Sequence, residues 1–161
     1  MEKSRNGRPI RRSVQLDIED WTKQGVAIVL CLLNDYEIRT LGVDEKLYKK
    51  VCLSSGVELV QYPIIEMSVP EENTQIHAIL HKLAQSVENG QRIVIHCRGG
   101  IGRTAIIVCA LLKLLAIEDN PRKAIQYVRE VRDKRCVESR KQEDWVCQFF
   151  LNWSSKIEKP Q

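Results

Sequence analysis

The chain has 161 residues, of which 43% are hydrophobic and 29% charged, and its net charge is +4. This length supports one domain with a proper hydrophobic core and is short for two. The modest charge disfavours a dedicated nucleic-acid-binding protein, and no apolar run reaches the roughly 20 residues of a membrane span. Six cysteines without a CxxC pair argue against a zinc knuckle or a thioredoxin motif.

The first twelve residues are basic and polar, and we expect residues 1–12 to be a flexible segment ahead of one domain over 13–155. They are not followed by the apolar stretch of a secretory signal. The expected compartment is therefore the cytosol or the nucleus, where a disulfide scaffold is not expected. We expect a monomer.

Hydrophobic patterning predicts helices and strands that alternate along the chain. The first half has a helix from Asp17 stopped by Gly25, a strand over 26–33, a polar loop over 34–44, a helix over 45–55 capped by Asp44, a strand over 57–62 and a loop over 63–72. The second half has a helix over 76–87, a strand over 92–97 and an apolar helix over 104–116. Two more helices follow, one capped by Asn120 and begun by Pro121, and a last one that starts with a Ser139–Gln142 capping box.

This alternation predicts a single α/β domain with a central, mostly parallel β-sheet flanked by helices. Binding sites in such folds collect at the carboxyl ends of the strands. Three predicted loops leave those ends, over 34–44, 63–72 and 97–103.

The third of these loops combines a thiol, three glycines and a guanidinium between Cys97 and Arg103. Its backbone N–H groups can turn inward to form an anion site, and the positive end of the following helix points at the same place. An arginine at the first helical turn can bind two phosphate oxygens. A dinucleotide-binding fingerprint also fits the glycines, but the second parallel strand that it needs does not follow. The loop therefore predicts a phosphate site facing a sulfur nucleophile.

The sequence "HCRGGIGRT" over 96–104 matches the HCxxGxxR(S/T) signature of the protein tyrosine phosphatase superfamily at every fixed position. From Leu16 to Phe150 the order of elements resembles the small dual-specificity phosphatases, such as the cyclin-dependent-kinase-associated phosphatase and compact archaeal tyrosine phosphatases. The resemblance implies a phosphatase of phosphotyrosine, with phosphoserine and phosphothreonine as further substrates. It would act on phosphorylated proteins through a cysteinyl-phosphate, without a metal or another cofactor.

By this resemblance Cys97 is the nucleophile, Arg103 binds the phosphoryl group and stabilises the transition state, and Thr104 hydrogen-bonds the cysteine sulfur. His96 would fix the loop. The backbone amides that bind phosphate belong to Arg98, Gly99, Gly100, Ile101 and Gly102. Gln142 matches a glutamine that orients the hydrolytic water in relatives, and its alternative is the helix-capping role.

The general acid is where this chain departs from the family pattern. The kinase-associated phosphatase has an aspartate in a Pro-Ile-x-Asp sequence, and this chain has "PIIE", from Pro63 to Glu66. Glu66 is therefore the predicted acid. Asp35, after the first strand, is the alternative, and a third reading gives neither residue this role.

Two alternative functions stay open at this point. The same chemistry could act on a non-protein substrate, such as a phosphoinositide or an RNA 5′ phosphate, or the chain could be a weakly active phosphate-binding module. Cys31, near the end of the first strand, has two readings as well. It is either a core residue or, as in some relatives, a thiol that traps an oxidised Cys97 as a disulfide.

Overall fold

A computed structural model describes residues 13–155, with the side chains of residues 154 and 155 left aside. The segment 1–12, predicted to be flexible, lies outside the described residues. No helix within the described range is long and apolar enough to cross a membrane.

Three parallel strands form the sheet in the order β2-β1-β3, with β1 over Val26–Cys31, β2 over Glu58–Gln61 and β3 over Arg92–His96. The central strand β1 has neighbours on both edges, and five of its six side chains are buried. This agrees with its continuous apolar sequence, which is typical of a strand covered on both faces. The predicted α/β fold with a mostly parallel sheet is confirmed.

Seven helices are present in the described part of the chain. They are α1 (Val14–Lys23), α2 (Asp35–Thr40), α3 (Glu45–Ser54), α4 (Thr74–Glu88), α5 (Arg103–Leu114), α6 (Pro121–Val131) and α7 (Arg140–Ser155). Helices α1 and α3 pack together and contact β1 and β2, whereas α4 and α5 pack together and contact β3. Helix α5 also packs against α6 and α7, so nine of its twelve residues are buried.

Predicted helix caps are observed at Asp44 and Asn120, whose side chains accept backbone N–H groups of the first turns of α3 and α6. The predicted start of the first helix at Asp17 is wrong by one turn. Helix α1 begins at Val14 because the Ser13 hydroxyl accepts the N–H of Leu16.

The predicted polar loop over 34–44 contains a helix, α2. Asn34 accepts the N–H of Glu37, and the Glu37 carboxylate accepts the N–H of Asn34, which completes a capping box. The prediction failed because this helix has only six residues and a mostly polar sequence.

Candidate active site

The signature loop over 97–102 joins the carboxyl end of β3 to the amino end of α5. Gly100 has a φ of 72°, which is unfavourable for other L-residues. A Cβ atom on Gly102 would collide with the carboxylate of Glu138. Gly100 is therefore required for its backbone conformation, whereas the space over Gly102 is filled by the end of the exposed Glu138 side chain.

Cys97 is 8% exposed, and two donors converge on its sulfur. The backbone N–H of Gly100 lies 3.2 Å from Sγ, and the Thr104 hydroxyl lies 3.1 Å from it. Hydrogen bonds of this kind stabilise an anionic sulfur. The structure thus places Thr104 where the sequence resemblance expects it.

Arg103 is 3% exposed although it carries a charge. Its Nη1 atom donates to Glu37 Oε1 at 2.8 Å and to the carbonyl oxygen of Ile64 at 2.8 Å. Both contacts use the same nitrogen, which leaves the Nε–Nη2 edge for the bidentate binding of an oxyanion. The three loops at the carboxyl ends of the strands therefore meet at Arg103, as the fold predicts.

Glu37 is a residue of this site that sequence reasoning missed. It is 16% exposed, and its two carboxylate oxygens hold the start of α2 and the guanidinium of Arg103. The signal that could have found it is the Asn34–Glu37 capping box, because that box would have placed a helix, and its carboxylate, at the edge of the predicted site.

Glu66 lies two residues after Ile64, in the loop that follows β2. Its side chain is exposed, and its carboxylate has no hydrogen-bond partner among residues 13–155. Asp35 is half-buried, and its Oδ1 atom accepts a hydrogen bond of 2.9 Å from Gln61. Of the two predicted acids, Glu66 has the carboxylate that is not engaged by a neighbouring side chain.

The Glu66 loop is tied to the start of α7. The Ser139 hydroxyl donates to the carbonyl oxygen of Met67, and the Lys141 ammonium donates to the Ser68 hydroxyl, each at 3.0 Å. Met67 has a φ of 62°, a conformation that a non-glycine residue rarely adopts. This loop is therefore held in a particular shape by α7.

Gln142 is fully buried at the same junction. Its Nε2 atom donates to the Ser68 carbonyl oxygen at 3.1 Å, and its Oε1 atom accepts the N–H of Glu138 at 2.9 Å. The predicted capping box is half formed, since Ser139 Oγ accepts the N–H of Gln142 while the Gln142 side chain reaches Glu138 instead of Ser139. The amide therefore connects the acid loop to the start of α7.

Two further residues lie next to the signature loop. His96 Nε2 pairs with the buried Tyr48 hydroxyl at 2.7 Å, which agrees with a structural role for His96. Cys31 lies beside His96 in the parallel pairing of β1 and β3, and it is fully buried. Burial raises the pKa of the Cys31 thiol to about 11, which favours its reading as a core residue.

Comparison with known proteins places this geometry among phosphatases. A family model described as "Tc-R-P: Polymorphic toxin system, DSP-PTPase phosphatase" matches residues 6–115. Cyclin-dependent kinase inhibitor 3 of Rattus norvegicus is 27% identical over 142 residues, which cover 87% of this chain. The chain spans only 65% of the length of that rat protein.

Two solved structures are similar in fold. Kinase associated phosphatase (KAP), with its catalytic site cysteine substituted by serine, has a TM-score of 0.80 at 23% identity, covering 91% of this chain and 80% of the other. The active form of Tk-PTP has a TM-score of 0.70 at 26% identity, covering 88% of each chain.

Proposed function

Because the chain belongs to the DSP-PTPase family of phosphatases, we propose that it is a cysteine-dependent phosphatase of phosphotyrosine and of phosphoserine or phosphothreonine in proteins. The observation that carries the proposal is the convergence of Gly100 N–H and the Thr104 hydroxyl on Cys97 Sγ, next to a buried Arg103. No group of three or more possible metal-ligating side chains lies within residues 13–155.

In the first step, Cys97 Sγ attacks phosphorus opposite the leaving oxygen. The S–P bond forms as the P–O bond breaks, and Glu66 gives its proton to the departing oxygen. The signature-loop amides and the Nε–Nη2 edge of Arg103 stabilise the negative charge on the three equatorial oxygens. The pairing of Arg103 Nη1 with Glu37 and Ile64 supports this assignment because it fixes the guanidinium plane.

In the second step, water attacks the cysteinyl-phosphate, and phosphate leaves as the sulfur regains its electron pair. The Glu66 carboxylate accepts the proton of the water. The Thr104 hydroxyl stabilises the departing sulfur through the hydrogen bond already present. Gln142 acts in this scheme as a positioning residue, since both ends of its amide bind backbone groups.

Hydrolysis of an aryl phosphate by the full chain tests the proposal. We expect turnover in the presence of a chelator, inhibition by vanadate, and loss of activity to background in Cys97→Ser. Full activity in Cys97→Ser would contradict the proposed mechanism. Wild-type protein that binds phosphate without turnover would favour the phosphate-binding module instead.

A substrate panel then separates protein from non-protein substrates. It contains phosphotyrosine and phosphothreonine peptides, phosphoinositides and RNA with a 5′ phosphate. Since the rat relative is named a cyclin-dependent kinase inhibitor, phosphopeptides of a cyclin-dependent kinase belong in the panel. A higher kcat/KM for a phosphoinositide or RNA than for every peptide would contradict a protein substrate and identify the preferred substrate class instead.

A further inference from the structure

The turn between α6 and α7, over 132–139, contacts the signature loop through its backbone. The N–H of Val137 donates to the carbonyl oxygen of Ile101 at 2.8 Å. Val137 is buried and has a φ of 60°, which is a strained conformation for a β-branched residue. Such a conformation persists only where the surrounding structure holds it, and functional sites are where it is concentrated. The contacts that hold this turn are therefore candidates for a role in the reaction.

The same turn is also connected to the loop that carries Glu66. The N–H of Glu138, the residue after Val137, donates to Gln142 Oε1 at 2.9 Å. The Nε2 atom of Gln142 donates in turn to the carbonyl oxygen of Ser68, two residues after Glu66. Two successive N–H groups of one turn thus bind the signature loop directly and the acid loop through one amide.

Arg129, in the last turn of α6, binds the opposite side of these two peptide groups. Its Nε atom donates to the carbonyl oxygen of Cys136 at 2.9 Å, and its Nη2 atom donates to that of Val137 at 3.3 Å. The Cys136 carbonyl shares a peptide group with the N–H that binds the signature loop. The Val137 carbonyl shares one with the N–H that binds Gln142. Because a donor on the carbonyl oxygen polarises a peptide group and strengthens the hydrogen bond of its N–H, the guanidinium supports both connections.

Arg129 is itself held by α7. Its Nη2 atom donates to Glu143 Oε1 at 2.8 Å, and Glu143 lies in the first turn of that helix. Arg135 offers a comparison, because it lies in the turn itself. Its exposed guanidinium binds the Asp133 carboxylate with hydrogen bonds of 3.0 and 2.9 Å. Of these two arginines, Arg129 is the one that binds the peptide groups connected to the two loops.

We propose that Arg129 is a positioning residue of the reaction, which holds the signature loop and the acid loop in the relative position that proton transfer to the leaving oxygen needs. The proposal rests on the phosphatase function proposed above. Phosphate binding depends on the signature-loop amides and on Arg103, which Glu37 and Ile64 hold. A general acid, by contrast, must lie within hydrogen-bond reach of the leaving oxygen. Loss of Arg129 should therefore impair proton transfer more than phosphate binding.

The test measures the slope of log kcat/KM against leaving-group pKa for aryl phosphates in Arg129→Met, which keeps a long side chain and removes its donors. We expect kcat/KM for phosphotyrosine to fall about tenfold or more, the usual effect of hydrogen bonds to a charged group. The fall for a fluorinated aryl phosphate should be much smaller, so that the slope becomes steeper, and the affinity for vanadate should change little.

Two further variants complete this experiment. Arg129→Lys keeps the charge without the planar fork, so its slope should lie between those of the wild type and Arg129→Met. Its result decides the test if thermal unfolding shows that Arg129→Met is not folded. The matched control is Arg135→Ala, which removes an arginine of the adjoining turn and should keep the wild-type slope.

A double-variant experiment shows whether Arg129 acts through the acid. Arg129→Met should lower kcat/KM for phosphotyrosine far less in the Glu66→Gln background than in the wild type, because the proton transfer that it supports is already lost there. Equal falls in the two backgrounds overturn the proposal. A wild-type slope in Glu66→Gln itself also overturns it, since the acid loop would then not supply the proton.

The outcomes separate this proposal from the proposed function. Absence of turnover of every aryl phosphate by the wild-type protein contradicts the phosphatase function itself. Turnover with an unchanged slope in the Arg129 variants, or with the same change of slope in Arg135→Ala, overturns the positioning role alone. An equal fall on all substrates, accompanied by a lower unfolding temperature, would show that Arg129 only stabilises the fold, and it would overturn the positioning role as well.

Discussion

At the scale of single residues, the contact between Glu37 and Arg103 helps to hold in place the guanidinium that we propose binds phosphate. Arg103 is almost completely buried, and Glu37 is the carboxylate that pairs with it. Without this carboxylate, Arg103 keeps the Ile64 carbonyl oxygen as an acceptor but loses the charged contact that fixes its orientation. The planar fork binds two oxygens only when its orientation is fixed.

We predict that Glu37→Gln lowers kcat/KM for an aryl phosphate by about 10- to 100-fold, which corresponds to the roughly 1.5–3 kcal/mol of a charge-assisted hydrogen bond. Glutamine keeps the length and can still complete the capping box with Asn34, so α2 should stay folded. Two measurements check this prediction, the steady-state kcat/KM for the aryl phosphate and the affinity of the variant for vanadate. Glu45→Gln, which breaks the pair with the exposed Arg39, is the control and should change neither quantity.

At the scale of elements, helix ends could be predicted from sequence better than contacts between distant segments. Asp44 and Asn120 cap the predicted helices because an N-cap needs only a short side chain and the N–H groups two or three residues later. Helix α2 follows the same rule, but its six residues are mostly polar, so its capping box is not followed by an apolar pattern that would predict a helix.

The contacts of the candidate site also differ in how far they could be predicted from the sequence. The Cys97–Thr104 contact lies within one loop and its helix, and the signature implied it. The bond from Arg103 to Glu37 spans 66 positions and depends on how the strands align in the sheet, which no local pattern contains. The ties from Ser139 and Gln142 to the loop after β2 could not be predicted for the same reason, because they join parts of the chain more than 70 residues apart.

The loop after β2 is the element that should deliver the proton. It is fixed at Ile64 by Arg103 and at Ser68 by Gln142, and Glu66 lies between these two points. General acid catalysis is typically worth about 10²–10⁴-fold when the leaving group is poor. We therefore predict that Glu66→Gln slows hydrolysis of phosphotyrosine far more than hydrolysis of a fluorinated aryl phosphate.

The comparison variant for this prediction is Asp35→Asn, which alters the other candidate acid and should leave the leaving-group dependence nearly intact. The readout is the slope of log kcat/KM against leaving-group pKa for a series of aryl phosphates. If Asp35→Asn changes this slope and Glu66→Gln does not, the first loop carries the acid. If neither variant changes it, the proton comes from another group or from water.

At the scale of the whole molecule, the buried thiols link stability to pH. Five of the six cysteines are buried in the described structure, and all six are free thiols. Burial raises the pKa of Cys31 to about 11 and that of Cys109 to about 12, because a thiolate is poorly solvated in the core. Burial also raises the pKa of Tyr48 well above its usual range. These groups remain neutral in the fold at pH values where they ionise in the unfolded chain.

This difference predicts a loss of stability at alkaline pH. A group whose pKa is raised by folding contributes its full stability below its unfolded pKa, which is 9.0 for Cys109, and loses it as pH rises towards about 12. Each such group lowers the free energy of unfolding by up to about 1.4 kcal/mol per pH unit in this window.

Urea unfolding at pH 7, 9 and 10.5 tests this expectation. The free energy of unfolding should change little between pH 7 and 9 and fall clearly between pH 9 and 10.5. In Cys109→Ala the fall should be shallower by the contribution of one proton, whatever the variant's stability at pH 7, with Cys147→Ala as the control for removing a cysteine. An identical fall in wild type and Cys109→Ala would show that this buried thiol does not govern the alkaline limit of the fold.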